Sequence, residues 1–126
     1  MKEPYQTLLL ETAKHAIKFG LTENSNLPID PEEFEPTLQE FRASFVTLHI
    51  EGALRGCIGT LEAYQPLIID VADNAFNAAF KDPRFSALNR KEFPRLDYHI
   101  SILTPPSILE TTSEADLLNQ LRPNID

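Results

Sequence analysis

The chain has 126 residues, 42% of them hydrophobic, and a formal net charge of -8, which is one domain's worth of sequence with room for a core of its own. An acidic balance of this size argues against general nucleic-acid binding and against anionic membranes. The single cysteine excludes an internal disulfide and a CxxC metal or redox site.

Met1-Lys2-Glu3-Pro4 opens without the apolar core of a signal peptide, and no apolar run approaches the roughly 20 residues that span a bilayer. A cytoplasmic protein is the expectation. Residues 4–19 predict a first helix. Pro4 suits a first helical position, Tyr5, Leu8, Leu9, Ala13, Ala16 and Ile17 recur at helical spacing, and Gly20 is the expected cap. His15 falls on or beside the polar face. Residues 22–41 hold Glu23, Asp30, Glu32, Glu33, Glu35 and Glu40 and no Lys or Arg. Pro28, Pro31 and Pro36 break any long helix there. The segment reads as a surface connection anchored by Leu27, Ile29, Phe34 and Leu38. Its carboxylates lack the spacing of an EF-hand loop, so a solvated acidic face is expected and no metal site.

Phe45–Leu61 reads FVTLHIEGALRGCIGTL, two strands at 43–50 and 53–61 around Glu51-Gly52. A two-residue turn pairs Ile50 with Ala53, which sets Leu48 opposite Arg55 and Val46 opposite Cys57. His49 then faces Leu54, away from Cys57. Alternation puts Arg55, Cys57 and Gly59 on one side, and Leu54, Gly56, Ile58 and Thr60 on the other. Arg55 and Cys57 would stand roughly 7 Å apart, and a cation there favours the thiolate. The thiol itself reads as structural, buried against Val46 and the next helix, because Val46 faces it in this register and no histidine does. Two glycines inside a strand point to a bulge or a close backbone approach at Gly56 or Gly59. A one-residue slip would exchange the faces.

A helix follows at 66–80, started by Pro66. Leu67, Val71, Ala75, Ala78 and Ala79 form an apolar stripe that Ile68, Ala72 and Phe76 widen. Asp70, Asp73, Asn74 and Asn77 are expected to keep the opposite face wet. Asp82-Pro83 ends the helix, with Asp82 capping the turn at 83–86 and aiming Arg84 at the Arg55–Cys57 region. Asn89 to Glu92 resembles a capping box. The stretch 81–95 carries Lys81, Arg84, Arg90, Lys91 and Arg95, the one locally positive region. It reads as a surface that faces water or pairs with the acidic 22–41 segment, the alternative being an anion- or partner-binding rim. Residues 97–103 predict a strand with Tyr98, Ile100 and Ile102 on one side. Ile108-Leu109-Glu110 suggests a short strand or bridge, and 114–121 a last helix. The sum is an α+β fold with a partly antiparallel sheet and helices 4–19 and 66–80 packed on it.

The run Leu54-Arg55-Gly56-Cys57-Ile58-Gly59-Thr60 resembles the signature of the AMMECR domain family. Phe45-Val46-Thr47, Lys81 to Phe85, Leu88, Glu92 to Leu96 and Ser101 to Pro106 are similar to its neighbouring blocks. The resemblance implies one AMMECR-like domain over 1–126 that lacks the family's C-terminal part. Missing strands would expose an edge and invite self-association. The family's activity is not settled, and two readings follow. The first is an interaction or substrate-recognition module whose partner, by resemblance, is a Memo-like or radical-SAM protein. The second is an enzyme with a pocket built around Arg55, Cys57 and Thr60, with Cys57 and Arg55 as catalytic candidates. Binding candidates are Arg55, Gly56, Cys57, Gly59, Thr60, Asp82 and Arg84. No cofactor is implied.

Overall fold

A computed structural model describes residues 3–103. The first helix, α1, runs Glu3–Glu23. Gly20 does not cap it. Gly20 lies inside the helix, where Phe76 and Phe80 leave no room for a side chain. The turn is closed by Asn24 instead, whose φ of 58° is left-handed and whose N–H donates to the Gly20 carbonyl at 2.8 Å. Two single turns follow, a 3-10 turn at Pro31–Glu33 and α2 at Pro36–Gln39. Leu38 is fully buried, and Leu27, Ile29 and Phe34 pack against the core, so this acidic segment is anchored by its apolar residues as expected.

Strands β1 (Ala43–Ile50), β2 (Ala53–Gly59) and β3 (Leu96–Leu103) make an antiparallel sheet in the order β2-β1-β3. Glu51 and Gly52 both have positive φ, 51° and 83°, the backbone of a two-residue hairpin turn. The second long helix, α3 (Leu67–Phe80), follows β2 in sequence. It packs on β1 and β2, and α1 packs on α3 and reaches β3. The fold is α+β, with both long helices against the same sheet. No helix among the described residues is long and apolar enough to cross a membrane. The expected elements at 108–110 and 114–121 lie outside the described residues.

The core is formed where the α3 stripe meets Val46 and Leu48 of β1 and Leu9, Ala13 and Ile17 of α1. The polar side of α3 differs from expectation. Asp70 is 0% exposed and Asn74 2%. Both turn toward the start of β1 rather than to water, because Ser44 meets them there with a hydroxyl and a carbonyl. The hairpin register differs too. Ile50 pairs with Ala53 and His49 with Leu54, but Leu48 then pairs with Gly56, Thr47 with Cys57 and Val46 with Ile58. Arg55 is the extra residue of a β-bulge. The bulge moves Cys57 off Val46 and onto the face opposite the helices. The thiol is therefore half-exposed beside Thr47, not buried under the 66–80 helix.

Candidate functional site

Gly56 follows the bulge directly. A methyl group at this position would overlap the carbonyl oxygen of Ala78, so α3 lies against β2 closely enough that only glycine fits. Gly56 has no positive φ; the close backbone approach alone explains it. Gly59 lies on the opposite face beneath the ring of Phe45, its cross-strand partner, which again leaves no space for a side chain.

Asp82 joins the two segments 54–60 and 81–85. Its carboxylate is almost fully buried and accepts four hydrogen bonds. Oδ2 takes the Cys57 N–H at 3.0 Å and Arg84 Nη2 at 2.7 Å, and Oδ1 takes the Arg84 N–H and Nε, each at 3.0 Å. The Phe85 N–H closes the turn on the Asp82 carbonyl at 3.1 Å. One carboxylate thus caps a turn, holds an arginine and satisfies an N–H on the outer edge of β2, where no further strand pairs among the described residues. The Arg84 guanidinium, and after it the Cys57 N–H, hold the Asp82 carboxyl well below the usual carboxylate range. Arg84 keeps 55% of its side chain exposed while making this pair.

Arg55 is the buried arginine of the region, 8% exposed. Its Nε and Nη2 form a fork on Glu92 at 2.9 and 3.0 Å, and Nη2 also donates to the Ser86 carbonyl at 2.8 Å. These bonds lower the Glu92 carboxyl below its ordinary value. Glu92 in turn accepts the Asn89 N–H at 3.1 Å and gives its own N–H to Asn89 Oδ1 at 3.0 Å, a reciprocal cap of the kind the sequence suggested. The guanidinium carbons of Arg55 and Arg84 stand 5.7 and 5.5 Å from the centroid of one ring, that of Phe85. The two arginines share an aromatic ring, each with its own carboxylate.

Thr60 belongs elsewhere. Its hydroxyl donates to Asp70 Oδ2 at 2.9 Å, where Ser44 Oγ at 2.6 Å and Asn74 Nδ2 at 3.1 Å also arrive. Gln65 Nε2 holds the other oxygen, Oδ1, at 3.0 Å. The structure therefore brings together Cys57, Asp82 and Arg84, sets Arg55 beneath them through Phe85, and uses Gly56, Gly59 and Thr60 for close packing and loop anchoring. The Cys57 thiol is 3.2 Å from Thr47 Oγ1, and His99 follows Thr47 in the same cross-strand row, one strand further. The positive stretch is largely engaged: Arg84 with Asp82, Arg95 with Glu51 at 3.1 Å, and Arg90 with the Leu21 carbonyl at 3.3 Å. None of these bonds is to the acidic 22–41 segment. Among the described residues no cluster of His, Cys, Asp and Glu is arranged to hold a metal ion.

Thr47 and Phe85 carry much of this geometry, as does Glu92 through a fork on Arg55 that its capping pattern does not reveal. The AMMECR1 family profile matches residues 10–126. The chain belongs to the AMMECR1 family. It is 38% identical over 118 residues to a protein of Methanothermobacter thermautotrophicus, covering 94% of this chain and 61% of that one. A Thermotoga maritima protein is 36% identical over 119 residues, with 91% and 65% covered. The crystal structure of the uncharacterized protein PH0010 from Pyrococcus horikoshii superposes with a TM-score of 0.77 at 33% identity, covering 87% of this chain and 56% of that one. The chain thus spans about three fifths of the length of the curated AMMECR1 relatives it matches. Within the AMMECR1 signature, the arginine ties β2 to Glu92 and Ser86, both glycines serve close packing, and the cysteine is what faces outward.

Proposed function

We propose that this chain is an interaction or substrate-recognition module that works in the cytoplasm. Its contact surface is the outer edge of β2 with the turn at 82–86. The reading rests on one observation above the rest: Asp82 ties the Cys57 N–H and the Arg84 guanidinium into one rigid unit, leaving the arginine more than half exposed and the thiol half-exposed beside it. A preorganised, charged edge of this kind recognises a carboxylate or an extended segment at low ordering cost. The arginine offered to a partner is Arg84. Arg55, named with it in the sequence, is the support underneath.

The other reading, an enzyme with a pocket of Arg55, Cys57 and Thr60, is less favoured. Arg55 is taken up by Glu92 and Ser86, and Thr60 by Asp70, so the three side chains do not converge. The partners to try first are the Memo-like and radical-SAM proteins that the family resemblance implies. A pull-down with each, using the wild-type chain, Arg84→Ala and Cys57→Ser, tests the proposal. Capture by wild type and its loss in Arg84→Ala, with melting unchanged, is the expected result. Equal capture by Arg84→Ala would remove the proposed surface.

A further inference from the structure

We propose a second recognition surface, at the loop that joins β2 to α3, shaped for a basic segment of a partner protein that carries an apolar anchor. The observation is an exposed leucine on a loop that is firmly held. Leu61 is 84% exposed, Tyr64 61%, and Phe41 54%. The loop leaves the sheet where the Thr60 N–H donates to the Ser44 carbonyl at 3.0 Å. It returns where Pro66 bridges Phe41 and the Leu67 N–H donates to the Glu40 carbonyl at 2.8 Å. The three apolar side chains therefore stand at one end of the molecule, on two adjoining segments.

Such a loop would normally be expected to fold its leucine inward or to move. This one is tethered at both ends to the same fully buried carboxylate, Asp70, through Thr60 and Gln65. The apolar groups are displayed between two fixed anchors, so a partner meets them at a lower ordering cost than on a free loop. Exposed aromatic and aliphatic groups held in this way mark protein contacts.

The charge around them selects the partner. Glu62 lies between Leu61 and Tyr64, and Asp73 lies 3.4 Å from Gln65. Asn26 ties the acidic 22–41 segment to the same Asp73 at 3.1 Å. Arg42 is the basic residue at this end, and it is already paired with Glu40 at 2.7 Å. Among the described residues the rim is thus negative. A second copy of this chain is a poor complement, since its own net charge of -8 opposes an acidic rim. A separate protein segment with lysines or arginines flanking an apolar side chain fits both the patch and its rim.

Fluorescence anisotropy with two labelled synthetic peptides tests this, one alternating Lys with Leu and one alternating Glu with Leu. The Lys/Leu peptide is expected to bind. Leu61→Ser with Tyr64→Ser, and separately Glu62→Lys, should each weaken it at least about tenfold. Glu11→Lys makes the same charge change on α1 and should leave binding nearly unchanged. All four positions are exposed, so melting curves should not move. The proposal is overturned by undiminished binding to the Leu61/Tyr64 variant, by an equal loss in Glu11→Lys, or by equally tight binding of the Glu/Leu peptide. Self-association of the wild-type chain that the same substitutions abolish would also overturn it, by assigning the patch to a second copy. None of these residues touches Arg84 or Cys57, so the outcome is independent of the pull-down above.

Discussion

At the scale of single residues, the signature is held by contacts that admit no substitute. Gly56 has Ala78 carbonyl oxygen where a side chain would be. Gly56→Ala must push strand and helix apart, and about 1–3 kcal/mol of stability should be lost in a urea titration. An unchanged midpoint would mean that α3 does not approach β2 so closely. Asp82 and Glu92 give a second residue-scale expectation. Both carboxyls titrate below their ordinary values in the folded chain, Asp82 because of Arg84 and Glu92 because of Arg55. The folded state therefore holds these protons more weakly than the unfolded chain. The stability this supplies is complete above the unfolded value, about pH 4, and is lost as the pH falls through it toward the folded values. Urea midpoints should fall from about pH 5 downward, and fall less in Asp82→Asn. The same acid dependence in that variant would show that Asp82 is not a contributor.

At the scale of elements, the loop from β2 to α3 depends on a carboxylate one turn inside the helix. Asp70→Ala leaves Ser44, Thr60, Asn74 and Gln65 without their common acceptor. The cost should be at least about 2 kcal/mol, with faster amide exchange over 60–66. Exchange unchanged in that loop would show that Asp70 does not hold it. The strands, both long helices and the core side of β3 were legible from period and turn chemistry. The Glu51-Gly52 turn fixed its first two pairs for the same reason. The bulge at Arg55 was only half legible. Two glycines announced an irregularity or a close approach, but the residue that Gly56 makes room for is Ala78, which is distant in sequence. Asp70 and Asn74 were expected to be wet because they are polar; Asn74 stands three residues after Val71 and four before Ala78, so helical period sets it beside the apolar stripe, and what satisfies it there is a hydroxyl arriving from β1, which local sequence does not show. The Arg55–Glu92 fork was hidden likewise, since the capping box explained Glu92 without it. Asp82 with Arg84 was the legible part of the candidate site, because a cap acts over two residues and leaves its mark in local sequence.

At the scale of the whole molecule, charge and surface divide. Acidic residues gather where Asn26 of the 22–41 segment meets Asp73 beside the 60–66 loop, whereas Arg84 lies at the edge of β2, Arg95 at the hairpin turn and Arg90 beside the end of α1. The helices cover one face of the sheet. The other presents Cys57, Thr47 and His99 in one row, half-buried to exposed. The recognition reading places the contact on the β2 edge of this arrangement, with Arg84 as its exposed charge. Amide hydrogen exchange of the chain, free and bound to a captured Memo-like or radical-SAM partner, tests that placement most directly. Slower exchange on binding at 57–59 and 82–86 is the predicted result. Protection confined to other segments, with those two unchanged, would contradict it.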